Sequence, residues 1–149
     1  MLKILLDTDL GADCDDAGAL TLLHRLADEK MCDIAAITHC TSEKSGAVAV
    51  KAINEWYNRG DIPVGQYNVK AFMDGERYRR YTSLIMDKYL KNHSVPKFEN
   101  AVRVMRKALA SNNDVVIVVI GMLNNIAELL KSEADDISPL NGIELVKKS

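Results

Sequence analysis

The sequence lacks the features that mark several broad classes of protein. It has only three cysteines and no Cys-x-x-Cys pair, so a disulfide framework is not expected. No apolar run approaches the roughly 18 residues that cross a bilayer. The apolar start, Leu2–Leu6, is too short for a signal peptide. We therefore expect a cytoplasmic protein with reduced thiols and no membrane partner.

The chain also lacks a large excess of either positive or negative charge. The formal net charge is −2, whereas nucleic-acid binders gain their affinity from many Lys and Arg contacts to phosphate. No nucleic-acid partner is therefore expected. The composition, 48% hydrophobic and 27% charged, is that of a globular protein. Internal repeats and linkers are absent, so we assign residues 1–149 to a single domain.

Short apolar runs alternate with amphipathic helical patterns along the chain. The predicted strands are Leu2–Leu6, Asp33–Thr38, Ile62–Gly65 and Asp114–Gly121. One predicted helix begins near Asp15. Four more are predicted over 44–58, Ser83–Asn92, Glu99–Ser111 and Leu123–Lys131. Continuous apolar strands between amphipathic helices indicate an α/β fold, with an open, mostly parallel sheet and helices on both faces.

Three further segments carry less regular patterns. Residues 66–82 are polar and aromatic, and they are predicted to form a long surface loop. A further strand start is expected at Ile143–Val146, after a turn at Ser138-Pro139. Trp56 lies within a helical pattern, so we expect it in the core.

Two loops follow the carboxyl ends of predicted strands. One runs from Asp7 to Asp16, and the other is Gly121–Asn125. In open parallel sheets, ligands bind outside the carboxyl ends of the strands, where the strand order reverses. If the four strands lie in the order 3-2-1-4, these two loops flank one crevice.

The first of these loops is unusually acidic. Five carboxylates fall within ten residues, and they belong to Asp7, Asp9, Asp13, Asp15 and Asp16. Like charges this close require protons or a cation, and carboxylate oxygens are the ligands that Ca²⁺ and Mg²⁺ prefer. Gly11 permits a tight turn that aims the acids inward. The simpler interpretation is that some of these acids only cap the following helix.

Two other acidic loops can be compared by spacing. An EF-hand loop that started at Asp7 would need an oxygen ligand at its fifth position and Glu at its twelfth, where this chain has Gly11 and Gly18. The EF-hand is therefore excluded. A Mg²⁺-dependent phosphatase loop of the haloacid-dehalogenase type also begins Asp-x-Asp after a first strand, and it remains an alternative.

The acidic loop resembles the signature of a known enzyme family. Residues Asp7 to Leu20 read Asp-Thr-Asp-x-Gly-x-Asp-x-Asp-Asp-Ala-x-Ala-Leu, which is similar to the inosine-uridine-preferring nucleoside hydrolases, in the branch with a longer loop. Ile34–Thr38 resembles the second strand of that family, and Gly60–Gly65 resembles its turn into the third strand. Gly121–Ala127 resembles its Gly-Pro-Leu-Thr-Asn-Ile-Ala stretch. The resemblance implies a Rossmann-like fold.

The resemblance also implies an activity and a cofactor. The family hydrolyses the N-glycosidic bond of ribonucleosides and holds Ca²⁺ at the carboxyl ends of its strands. Carried over, Asp9 is the general base that activates a Ca²⁺-bound water, and it is also a metal ligand. Asp16 is a second metal ligand, and Asn124 gives its backbone carbonyl to the metal.

The remaining acids receive supporting roles by the same resemblance. Asp15 is expected to hydrogen-bond a ribose hydroxyl of the nucleoside substrate. Asp7 and Asp13 are expected to contact the metal ligands without binding the metal themselves, although the family gives Asp13 no firm role. His39 and Cys40 are interpreted as structural, and Tyr78 and Tyr81 as packing or lid contacts.

The chain also departs from the family pattern. Family members are much longer, and their second half supplies further ribose contacts, a His beside the leaving base and a late Asp ligand. An Asn that follows the second strand in the family is replaced within Thr38–Ser42. We therefore expect the chain to be the N-terminal half of the full fold and to be active when the other half is supplied. We also expect it to form a homo-oligomer. The alternative is a non-catalytic metal-binding remnant or oligomerising module.

Overall fold

Five strands form one sheet in which every neighbouring pair is parallel. The computed structural model describes residues 1–149. The strands are β1 (Lys3–Thr8), β2 (Asp33–His39), β3 (Val64–Gln66), β4 (Glu99–Asn100) and β5 (Val115–Val119). Their order in the sheet is β4-β3-β2-β1-β5. The predicted fold class and strand order are confirmed, and the two-residue edge strand β4 was not predicted.

Helices cover both faces of the sheet. They are α1 (Asp15–Asp28), α2 (Lys44–Trp56), α3 (Thr82–Tyr89), α4 (Ala101–Ser111), α5 (Asn124–Lys131) and α6 (Gly142–Lys148). A single 3-10 turn, Glu76–Tyr78, lies in the predicted long loop. No helix combines the length and the apolar character needed to cross a membrane.

The central strand β1 separates two apolar cores. Because side chains alternate across a strand, Ile4 and Leu6 face α1 and α2, while Leu5 faces α4, α5 and α6. The first core includes Leu20 and Leu23 of α1. The second contains Met105, Leu109, Leu129 and Leu145. Both faces of β1 are therefore buried, which explains its continuous apolar run.

Two predictions about the chain are wrong. The expected strand at Ile143–Val146 lies inside helix α6. The side chain of Asn141 accepts a hydrogen bond from the backbone N–H of Glu144, and Glu144 accepts one from the N–H of Asn141. This reciprocal capping box stabilises the start of a helix. Trp56 is 84% exposed, because it is the last residue of α2 and projects into solvent instead of the core.

Candidate active site

The carboxyl ends of the three central strands meet at one edge of the sheet. Thr8 of β1 lies beside His39 of β2, and Asp7 lies beside Val119 of β5. Gly121 allows the loops that follow to approach closely. A Cβ there would lie 2.7 Å from the backbone nitrogen of Asp9 and 3.0 Å from its Oδ1. The acidic loop and the Gly121–Asn125 loop therefore flank one crevice, as the strand order required.

Asp7 is fully buried at the end of β1. Its Oδ1 accepts hydrogen bonds from Thr38 Oγ1 at 2.6 Å and from Asn125 Nδ2 at 2.9 Å, whereas Oδ2 has no partner. Burial raises the pKa of Asp7 to about 7, and the hydrogen bonds from Thr38 and Asn125 oppose that shift. Asp7 thus links β1, β2 and α5 directly behind the acidic loop.

Asp16 lies in the first turn of α1 and is also buried. The hydroxyl of Thr8 donates a hydrogen bond to its Oδ1 and accepts one from the backbone N–H of Leu10 at 3.2 Å. Burial raises the pKa of Asp16 to about 6, and repulsion from Asp9 and Asp15 adds to that rise. The carboxylate is therefore fixed in place but lacks a compensating charge.

Asp13 and Asp15 are exposed to solvent. A hydrogen bond between them raises the pKa of Asp13 and lowers the pKa of Asp15. One carboxylate oxygen from each of Asp13, Asp15 and Asp16 lies within 4.8 Å of the others. The structure therefore places Asp13 beside the carboxylates of Asp15 and Asp16.

Asn124 joins the β5 loop to the end of β2. Its Nδ2 donates to the backbone carbonyl of Cys40 at 2.9 Å, while its Oδ1 is buried and has no partner. The Cys40 thiol accepts a hydrogen bond from the backbone N–H of Met122 at 3.2 Å. Burial raises the pKa of Cys40 far above its usual range. In this structure Cys40 is a neutral contact between two loops.

His39 fixes the acidic loop by a hydrogen bond to Leu10. This contact could not be assigned from the sequence. His39 is fully buried, its Nε2 donates to the carbonyl of Leu10 at 3.1 Å, and its Nδ1 is 3.4 Å from the Thr41 hydroxyl. Burial lowers the pKa of His39, so the ring is neutral at pH 7. Gly46 leaves room for this ring, because a Cβ there would overlap it.

The tyrosines of the long loop cover the other side of the acidic loop. The backbone carbonyl of Tyr78 packs against Gly11. The hydroxyl of Tyr81 is buried without a partner. Burial raises the pKa of Tyr81 to about 12, and the negative charge of Asp16 contributes to the rise. The buried side of the acidic loop thus packs against other segments of the chain, whereas Asp13, Cys14 and Asp15 remain exposed.

The donor set of this crevice fits a hard divalent cation. None of the five loop acids forms an ion pair with Lys, Arg or His. Three buried carboxylate or amide oxygens at the site also lack hydrogen-bond partners, namely Asp7 Oδ2, Asn124 Oδ1 and Asn125 Oδ1. Carboxylate and amide oxygens are the ligands that Ca²⁺ and Mg²⁺ prefer. Because no cationic side chain of the protein neutralises these acids, a bound cation would stabilise them.

The fold and this crevice together define an α/β protein with an acidic site at the carboxyl ends of its central strands. A sequence model of the family described as "Inosine-uridine preferring nucleoside hydrolase" matches residues 4–144, nearly the whole chain. The chain belongs to this family of hydrolases, whose members act on small-molecule nucleosides. None of the curated proteins matches the chain in a direct comparison.

Proposed function

We propose that the chain carries the site of a ribonucleoside hydrolase, which cleaves the N-glycosidic bond to release ribose and a free base. The observation that carries this proposal is the proximity of Asp9 to Asp16 and to the Gly121–Asn125 loop at one edge of the sheet. The family match supports a hydrolase of nucleosides over the alternative of a Mg²⁺-dependent phosphatase.

Asp9 is the general base in this proposal. Its backbone nitrogen and carboxylate lie against Gly121 at the floor of the crevice. There the carboxylate takes a proton from the water that attacks the anomeric carbon of the ribose. The base then leaves with the electron pair of the N-glycosidic bond. Because the transition state resembles an oxocarbenium ion, the surrounding carboxylates stabilise its positive charge.

The other residues bind and orient the substrate and the cation. Asp15 is exposed at the crevice, where it accepts a hydrogen bond from a ribose hydroxyl. Asp9, Asp16 and the backbone carbonyl of Asn124 would hold Ca²⁺, with Asp7 and Asp13 supporting them. When bound, the cation would neutralise the carboxylates and orient the ribose diol and the water. Thr8 and His39 fix the loop through Asp16 and Leu10.

The test measures the release of base from inosine and from uridine, with and without Ca²⁺. Asp9→Asn keeps the size of the side chain but removes the proton acceptor, so we expect the rate to fall about 10²- to 10⁴-fold. Asp87→Asn is the matched control, because Asp87 is exposed on α3. Unchanged activity of the Asp9 variant would contradict the assigned base.

The same assay separates the alternatives. Phosphate release from a simple phosphomonoester, without base release, would favour the phosphatase. Ca²⁺ binding by calorimetry without any turnover would favour a non-catalytic metal-binding module. Loss of Ca²⁺ binding in Asp16→Asn, but not in Asp87→Asn, would support the proposed ligand set.

A further inference from the structure

Tyr81 carries a buried hydroxyl that the rest of the chain leaves without a hydrogen-bond partner. Burial raises the pKa of this group to about 12, so the hydroxyl keeps its proton at neutral pH and remains a donor. A buried donor without an acceptor is costly, and nearly all such groups in folded proteins are satisfied. The chain itself buries this oxygen, so its burial does not depend on what covers the neighbouring surface.

The position of this hydroxyl is fixed by the packing around Tyr81. The ring packs against the apolar core between α1 and α2. Before Tyr81 in the chain, the backbone carbonyl of Tyr78 packs against Gly11 of the acidic loop. After it, the Thr82 hydroxyl lies 2.9 Å from the Ser45 hydroxyl of α2. Because the ring and the neighbouring residues are held in this way, the hydroxyl has little freedom to reach a distant acceptor.

Asp16 supplies the dominant negative charge at this hydroxyl. After burial, the charge of Asp16 makes the largest contribution to the raised pKa of Tyr81, ahead of Asp13. The packing agrees with this order. Leu10 and Leu20 belong to the core against which the ring lies, and Leu20 follows Asp16 by one turn on the same face of α1. The Tyr81 hydroxyl therefore lies toward the first turn of α1.

The carboxylate of Asp16 can accept a further hydrogen bond. Thr8 is the only side chain that donates to it, and this bond uses Oδ1. An ionised carboxylate has lone pairs for several donors. Hydrogen bonds to an ionised group are also stronger than those between neutral groups. Asp16 is thus a suitable acceptor for the unpartnered hydroxyl of Tyr81.

We propose that Tyr81 is a positioning residue for the cation site, and that its hydroxyl donates a hydrogen bond to the Asp16 carboxylate when that carboxylate binds a cation. This inference rests on the proposed function, in which Asp16 is a cation ligand. Cation binding requires the ionised carboxylate, which is the form to which a hydroxyl donates most strongly. Donors that hold a metal ligand in this way fix its orientation, and their loss weakens metal binding about 10- to 100-fold.

The hydroxyl of Tyr81 should therefore contribute differently to the cation-free and the cation-bound forms. In the cation-free form it has no partner, so its removal breaks no hydrogen bond and relieves the burial of an unsatisfied group. In the cation-bound form it donates to a charged acceptor. The contribution of the hydroxyl should appear in the affinity for the cation and not in the stability of the cation-free chain.

Tyr81→Phe tests the inference, because it removes the hydroxyl and keeps the ring. Without Ca²⁺, we expect the variant to be at least as resistant to urea as the wild-type chain. Its dissociation constant for Ca²⁺, measured by calorimetry on the full chain, should rise at least about tenfold. Addition of Ca²⁺ should also shift the tyrosine absorbance of the wild-type chain to longer wavelength, as donation to a carboxylate does, and this shift should be absent from Tyr81→Phe.

Tyr89→Phe is the matched control. The hydroxyl of Tyr89 donates to Glu55 at 2.9 Å, so this tyrosine has a partner in the cation-free chain. Its replacement should lower the resistance to urea and leave the dissociation constant for Ca²⁺ unchanged. The two variants lose the same atom, and the proposal predicts opposite patterns for them.

The outcomes separate this inference from the proposed function. Unchanged Ca²⁺ affinity in Tyr81→Phe, with binding lost in Asp16→Asn, would overturn the inference and leave the proposed ligands in place. A cation-free Tyr81→Phe chain that is less stable than the wild type would also overturn it, because the hydroxyl would then already have a partner. Absence of Ca²⁺ binding by the wild-type chain would overturn both. Weaker Ca²⁺ binding in Tyr81→Phe, without any release of base from inosine, would support the inference and contradict the proposed activity.

Discussion

At the scale of single residues, Gly11 determines how the acidic loop can turn. Its φ is +151°, and an added Cβ would overlap the backbone carbonyl of Tyr78. A backbone contact cannot yield as a flexible side chain does, and non-glycine residues rarely adopt this φ. We therefore expect Gly11→Ala to lower the free energy of unfolding by about 1–3 kcal/mol, measured by urea denaturation.

Gly18 gives a matched control for that substitution. It lies within α1, and an added Cβ would meet nothing within 4 Å. Alanine is the better helix former by about 0.5–1 kcal/mol, so Gly18→Ala should stabilise the chain. Equal effects of the two substitutions would show that Gly11 is not constrained by Tyr78.

Trp56 shows where a residue-level prediction fails. The helical pattern placed it in the core, but it is the last residue of α2 and is 84% exposed. Trp56→Ala should therefore change the free energy of unfolding by no more than about 0.5 kcal/mol. Leu20→Ala, at a buried position of α1, should cost about 2–5 kcal/mol. Ready quenching of the native tryptophan fluorescence by acrylamide would provide an independent check.

The candidate site was partly readable from the sequence. The five acids could be found because they follow an apolar strand directly, and the edge at which they meet was correctly predicted. The contacts that hold these acids in place could not be predicted, because Thr38 and Asn125 reach Asp7 from segments distant in the sequence. His39 contacts Leu10 for the same reason. Which side chains meet across strands depends on register, which sequence patterns alone do not determine.

At the scale of secondary-structure elements, α6 explains why short apolar segments are ambiguous. Ile143, Leu145 and Val146 fit a strand or a helix about equally well over so few residues. The signal that decides between them is the pair Asn141 and Glu144, three residues apart, which forms a capping box. Helices α1 and α4 were predicted because their patterns extend over 14 and 11 residues, and β1 and β5 were predicted from their apolar runs.

A buried arginine fixes the segment that leads into α6. Arg106 of α4 is 1% exposed and donates to Asp135, to Ser132 and to the carbonyl of Leu140. Replacing it by Met removes these hydrogen bonds, although Asp135 Oδ1 still accepts from the backbone N–H groups of Ile137 and Ser138. We expect Arg106→Met to lower the free energy of unfolding by about 1–3 kcal/mol at pH 7, measured by urea denaturation.

The ion pair with Asp135 should make part of this stability depend on pH. The hydrogen bond from Arg106 holds the pKa of Asp135 below its usual range. A depressed carboxyl pKa stabilises the fold above the unfolded value, about 3.9, and this contribution is lost as pH falls through the folded pKa. The destabilisation by Asp135→Asn should therefore be larger at pH 7 than near pH 3. Equal destabilisation at both values would contradict the pairing.

At the scale of the whole molecule, the strand order places the site. β2 and β3 lie on one side of β1, and β5 lies on the other. Successive strands are added on one side of β1 up to β4 and on its other side at β5, so the helices that follow β1 and β5 lie on opposite faces. A crevice opens at such a point in any doubly wound sheet. The alternation of strands and helices predicted this part of the site only on the assumption of the strand order 3-2-1-4.

The acids of this crevice should make the stability of the whole fold respond to Ca²⁺. A ligand that binds only the folded state stabilises it, by about 2.7 kcal/mol at a hundredfold excess over its dissociation constant. We expect Ca²⁺ to raise the melting temperature and a chelator to reverse the effect. Asp16→Asn should abolish the response and, without Ca²⁺, should not lower stability, because Asn can still accept the Thr8 hydrogen bond without a buried charge. Asp87→Asn should keep the response. A chain that melts identically with and without Ca²⁺ would contradict the cation site.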